Sequence, residues 1–150
     1  MISIHVDGAV SGTQFAGAAA VARTPDGIFL GWLSRQFPAM TNNEAEYQAA
    51  LLGLALARHL GISSVEIVSD SEVVVRQMQG QSRVLSQRLR QLHQETCARL
   101  GHFRQVSFRH VPREENHLAD ALATEALLGR PVKMQPQATK VHRRQRFWGK

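Results

Sequence analysis

Apolar and polar residues alternate at the start of the chain, with Ile2, Ile4 and Val6 set against Ser3, His5 and Asp7. A period of two predicts a strand with one buried face, and it puts Asp7 near the end of that strand. Gly8 and Gly12 read as bracketing a turn. Phe15 to Thr24, rich in Ala and Val, reads as a second strand. Pro25-Asp26-Gly27 is a turn signal, and Ile28 to Gln36 is a third strand. Short connections between the three imply an antiparallel meander.

The period then changes. Thr41-Asn42-Asn43-Glu44 has the form of a capping box, with Thr41 as N-cap and Glu44 three residues on. An Ala- and Leu-rich helix follows to about Leu60, where Gly61 stops it. Val65 to Ser69 is a short apolar strand running into Asp70. A helix from about Ser71 to Gln79 stops at Gly80. Leu85, Leu89, Leu92 and Leu100 have helical spacing and predict a helix over roughly 86–100. Phe103 to Val111 alternates as a strand, Pro112 to Glu115 is a loop, and Leu118 to Leu128 is the last helix. The order βββαβααβα predicts an α/β fold: one mixed five-stranded sheet with helices on both faces.

Charge divides the chain. Residues 130–150 hold seven Lys and Arg and no acid, whereas the first 129 residues carry 11 Arg and 12 Asp and Glu. The division predicts a near-neutral domain over 1–129 and a basic C-terminal tail over 130–150. Such a tail is either a nucleic-acid-binding arm or a solvated end. No apolar run approaches the roughly 18 residues a membrane span needs, so no membrane partner is expected. Met1 to His5 lacks a signal peptide's basic start and cleavage site. Cys97 is the single cysteine, which suits a reducing compartment. The expectation is a cytoplasmic, monomeric protein. The 150-residue length and the opening Met favour a free-standing protein over a fragment.

Four acids sit where such a fold could gather them. Asp7 ends the first strand and Asp70 lies at the carboxyl end of the fourth, where open sheets place their sites. Glu46 lies in the first turn of the first helix, and Asp120 in the first turns of the last. Glu44 and Glu46 are two residues apart and project from nearly opposite helix faces. Because Glu44 serves the cap, Glu46 is the one free to face a shared site. Packed carboxylates repel and hold their protons, a penalty that hard divalent cations remove. Two such ions about 3.5–4 Å apart can clamp the attacking and leaving oxygens of an in-line displacement at phosphorus. Among 12 acids there are many quartets, so the residues around these four have to single them out.

Those residues are Val6-Asp7-Gly8-Ala9, Thr41-Asn42-Asn43-Glu44-Ala45-Glu46, Ser69-Asp70-Ser71-Glu72 and Asn116-His117-Leu118-Ala119-Asp120-Ala121-Leu122-Ala123. In this order, over residues 1–128, the chain resembles the type 1 ribonuclease H family. The resemblance implies that Asp7, Glu46, Asp70 and Asp120 hold two Mg²⁺, with Mn²⁺ the alternative. It implies hydrolysis of the RNA strand of RNA–DNA hybrids to 5′-phosphate and 3′-hydroxyl ends. Asn42 and Asn43 look like the pair that contacts the hybrid, although both also suit a helix start. His110 has the spacing of a loop histidine that assists proton transfer or product release. The intervening Val-Pro-Arg-Glu-Glu departs from the familiar loop. Two alternatives therefore stand: Arg113 takes over the task, or His110 is a strand-end histidine without a role. Asn116 reads as a loop-to-helix cap near the site and, with Arg113, as a further candidate contact to the substrate.

Two departures bear on substrate grip. Residues 80–100 carry Arg83, Arg88, Arg90 and Arg99 but neither Lys nor Trp, which matches short forms lacking the full basic protrusion. The turn after Asp7 lacks the Gly/Pro-rich segment of many members. The tail is the candidate substitute, with Phe147 and Trp148 either stacking on bases or docking on the domain. The partner expected is an RNA–DNA hybrid, with double-stranded RNA as a second candidate. The rival reading is a non-catalytic nucleic-acid-binding module. Tyr47, the Leu51–Leu56 stripe, Trp32 and Phe108 read as core. His59, His93, His102, His117 and His142 read as surface, Glu66 and Glu72 as solvated, and Cys97 as a buried or half-buried small hydrophobe.

Overall fold

A computed structural model describes residues 1–12 and 14–130. The elements are β1 (Ile2–Val10), β2 (Phe15–Arg23), β3 (Phe29–Pro38), α1 (Asn42–His59), β4 (Ser64–Ser69), α2 (Glu72–Met78), α3 (Gln87–Leu100), β5 (Gln105–His110) and α4 (His117–Leu127). They form one sheet in the order β3-β2-β1-β4-β5. The meander β1-β2-β3 is antiparallel, and β4 and β5 join β1 in parallel. The expected α/β architecture is the one observed. Among the described residues, no helix is long and apolar enough to cross a membrane. The tail beyond residue 130, with Phe147, Trp148 and His142, lies outside the described residues.

Sheet alternation assigns the faces. Ile4 and Val6 of β1, Ala18, Ala20 and Ala22 of β2, and Val65 and Ile67 of β4 pack with Ala49, Leu54, Leu56 and Ala57 of α1 in the main core. The intervening residues Ala19 and Val21 pack with Ala119, Leu122 and Ala123 of α4 on the other side. Thus β2 is buried on both faces, and its small side chains let two helices close on it. A Cβ at Gly17 would lie 2.3 Å from the Ala123 carbonyl oxygen. Tyr47, Leu51, Val74 and Leu92 bind α1 to α2 and α3, and the buried Tyr47 hydroxyl donates to Gln77 Oε1 at 2.6 Å.

Several expectations need correction. Asp7 does not end β1, and Gly8 does not open a turn: the strand continues to Val10, with Asp7 opposite Ala19 and Gly8 opposite Ala18. A tertiary contact explains the misreading, because glycine is needed at position 8 where α1 crosses the sheet. A Cβ there would sit 2.5 Å from the carbonyl carbon of Ala45. β3 begins at Phe29, leaving Ile28 exposed, and β5 spans only 105–110. The loop after β5 contains a 3₁₀ turn, Arg113–Glu115. Trp32 is only half-buried, at the margin of the α4-side cluster. Cys97 is exposed, because the face of α3 turned to α1 presents Leu92 and Thr96 instead. His93 is half-buried, set edge-on to Tyr47 and within 3.3 Å of the Gln77 carbonyl.

Candidate active site

Three helix N-termini converge on one end of the sheet. The capping box of α1 is present in full: Thr41 Oγ1 accepts from Glu44 N at 3.2 Å, and Glu44 Oε1 accepts from Thr41 N at 2.8 Å. Glu44 is further tied to Arg88 of α3 at 3.4 Å. With Glu44 so engaged, Glu46 turns inward, and its Oε1 accepts from the Gly8 backbone N–H at 2.9 Å. Asp70 follows β4 in a tight turn held by Ser69 Oγ accepting from Ser71 N, while Ser71 Oγ caps α2 through Val74 N. Asp120 projects from the first turn of α4. Helix N-termini carry partial positive charge, which favours carboxylates placed there.

Asp7, Glu46 and Asp70 each offer a carboxylate oxygen, and these lie within 4.8 Å of one another. Asp120 stands outside that trio but lines the same open cleft of about 340 Å³, together with Asn42, Asn43 and Arg113. Arg113 Nη2 lies 3.8 Å from Asp120 Oδ1. Burial, then the charge of Glu46, pushes the Asp7 carboxyl far above the usual carboxylate range. Burial also raises Glu46, against the lowering effect of the Gly8 hydrogen bond. Two buried acids whose charged forms are disfavoured lie beside a third acid in a site short of positive charge, and a hard divalent cation would supply it. The oxygen-only donor set fits Mg²⁺ or Mn²⁺.

His110 is placed elsewhere. It ends β5 opposite Ser69 and lines a neighbouring groove with Glu66, Val75, Arg76, Gln79 and Arg109. Glu72 is exposed, as expected, in a surface pair with Arg76 at 2.7 Å, whereas Glu66 is half-buried and pairs with Arg109 at 3.1 Å. Asn116 is the N-cap residue of α4 by backbone, but its side chain makes no capping bond. It is buried, and its amide points towards β1 and Asp70. Gly8, Ser71, Glu72 and Val73 also line the acidic cleft. The sequence signal for the last three is their place in the helix start directly after Asp70.

With this geometry in view, the reverse transcriptase-like family profile matches residues 5–126. The crystal structure of RNase H1 from the halophilic archaeon Halobacterium salinarum superposes with a TM-score of 0.82 at 32% identity. The match covers 85% of this chain and 98% of that one. The chain belongs to the type 1 ribonuclease H family. A second family member, LC11-RNase H1 in complex with an RNA/DNA hybrid, gives a TM-score of 0.81 at 32% identity, over 86% of this chain and 98% of that one. A bifunctional protein of Mycobacterium tuberculosis is 34% identical over 128 residues, 84% of this chain and 35% of that protein. The chain thus spans about a third of the length of the first curated relatives it matches. As a ribonuclease H it is of the short kind: α2 and α3 are joined by residues 79–86 with no helix between them.

Proposed function

We propose that this ribonuclease H is an endonuclease that hydrolyses the RNA strand of RNA–DNA hybrids, leaving 5′-phosphate and 3′-hydroxyl ends. The observation that carries the reading is the Asp7–Glu46–Asp70 trio in an open cleft whose rim holds Asp120, Arg113, Asn42 and Asn43. The hybrid bound by LC11-RNase H1 supports the choice of substrate.

Asp7, Glu46 and Asp70 would hold the divalent cations, with Asp120 completing the set from the α4 side. Two such ions, when bound, offset the acids and polarise a phosphodiester towards in-line attack by water. Gly8 N–H fixes the rotamer of Glu46. Asn42 and Asn43, at the open start of α1, present amides to the sugar–phosphate backbone, which suits recognition by shape and 2′-hydroxyls rather than by base. Arg113, largely exposed beside Asp120, is placed to meet a phosphate or departing product. The Ser71 hydroxyl is occupied in capping α2, so the chain's own part is to hold cations and orient the backbone.

The test is cleavage of a strand-labelled RNA–DNA hybrid with Mg²⁺, wild type beside Asp70→Asn. RNA-strand cutting that disappears in the variant is the expected outcome. Hybrid that is bound but left whole by the wild type would identify a binding module instead.

A further inference from the structure

β1 and β4 run side by side only as far as the Val6–Ser69 pair. Beyond it they part, β1 continuing to Val10 and β4 turning through Asp70 into α2. Asp7 and Asp70 therefore stand on the two branches of a fork, and Asn116 fills the fork. It is 2% exposed. Its Nδ2 donates to the Val6 carbonyl at 2.9 Å and lies 3.4 Å from Asp70 Oδ2. Its backbone carbonyl accepts from Asp120 N at 3.1 Å. One residue thus meets the peptide before Asp7, the carboxylate of Asp70 and the backbone of Asp120.

The chemistry fixes which way the amide faces. A carbonyl and a carboxylate are both acceptors, so only the NH₂ group can bridge them. The Asn116 Oδ1 must then point away, and it is buried without a hydrogen-bond partner. An asparagine at a helix start ordinarily accepts from the first turn. Here the side chain forgoes that bond and leaves a buried acceptor unpaired, a net cost to folding. Helix capping does not account for the arrangement, whereas orienting Asp70 does.

We propose that Asn116 is a positioning residue for the cation site, holding the Asp70 carboxylate in fixed rotation towards Asp7. The proposal rests on the metal-binding part of the function argued above, not on hybrid cleavage. Groups that hydrogen-bond a metal ligand from behind typically change metal affinity by about 10–100-fold when removed.

The test is Mn²⁺ titration by calorimetry on the full chain, comparing wild type with Asn116→Ala and Asn116→Leu. Leucine keeps the volume without the donor, so it serves where alanine leaves the protein unfolded. Weakening of Mn²⁺ binding by about 10–100-fold in folded variants is expected. Affinity within twofold of wild type, with only the melting temperature lowered, would overturn the proposal and leave Asn116 a structural wedge. A wild type that binds no Mn²⁺ would overturn it as well. Mn²⁺ binding weakened by the variants, in a wild type that leaves hybrid uncut, would support Asn116 while removing the nuclease reading.

Discussion

The backbone N–H of Gly8 donates to Glu46 Oε1 at 2.9 Å, joining the middle of β1 to the first turns of α1. The bond exists because Gly8 has no Cβ: one built there would meet the Ala45 carbonyl carbon at 2.5 Å, its oxygen at 2.6 Å and Glu46 N at 2.8 Å. Backbone cannot yield as a flexible side-chain tip can. Gly8→Ala should therefore push α1 from the sheet and move Glu46 away from Asp7. The expected cost is about 1–3 kcal/mol of stability, together with a higher Mg²⁺ concentration needed for half-maximal activity. Thermal denaturation and a Mg²⁺ titration would check both, and an unchanged melting temperature in the variant would show that α1 can yield to a methyl group.

The metal-free protein should lose stability as pH rises. Burial raises Asp7 and Glu46 above their unfolded values. From about pH 4 upwards the unfolded chain has released those protons while the folded chain retains them. Folding is then favoured at low pH and progressively less so towards each raised value, by up to about 1.4 kcal/mol per pH unit for each proton retained. Asp7→Asn removes the larger contributor. Calorimetry in a chelator from pH 5 to 8 should show a flatter profile and a higher melting temperature at pH 8 for Asp7→Asn. Mg²⁺ should stabilise the wild type more at pH 8 than at pH 5, because it displaces protons. Equal slopes for wild type and variant would show that Asp7 titrates normally.

Arg113 and His110 divide by position. Arg113 lines the acidic cleft beside Asp120, and His110 lines the adjoining groove. Arg113→Ala should lower kcat by roughly tenfold, about 1.4 kcal/mol of barrier, while His110→Ala should change it less. Single-turnover and steady-state rates on one hybrid would separate chemistry from release. A greater reduction from His110→Ala would return the proton-transfer role to the histidine.

Removing residues 131–150 takes away six Lys and Arg and no acid, which lowers the net charge from +6 to 0. If the tail grips nucleic acid, hybrid affinity should fall and depend less steeply on salt, by about 0.9 in the log–log slope for each phosphate that the tail had neutralised. Affinities measured across a range of salt would decide this; an unchanged slope would leave the tail without a part in binding.

What sequence alone determined is what local chemistry determines. Period-two alternation set β1, the Thr41–Glu44 capping box set the start of α1, and the contest between Glu44 and Glu46 was settled by spacing on one helix. Those signals act within a turn or two, so they survive any tertiary context. The choice of Asp7, Glu46, Asp70 and Asp120 among the 12 acids came from the residues around each of them, and the element order placed Asp70 and the helix starts at one end of the sheet.

Tertiary structure decided the rest. Gly8 reads as a turn residue until α1 is seen crossing it, and only then is it a strand glycine. Asn116 reads as a cap until the fork between β1 and β4 supplies two acceptors that outcompete the helix start for its amide. Arg113 enters the acidic cleft from a 3₁₀ turn after β5, whereas His110, still paired opposite Ser69 at the end of β5, lines the groove beside it. In each case the deciding partner is distant in sequence: 38 residues separate Gly8 from Glu46, and 110 separate Asn116 from Val6. No local period records such a neighbour, because a side chain's surroundings are set by which backbones pack against it.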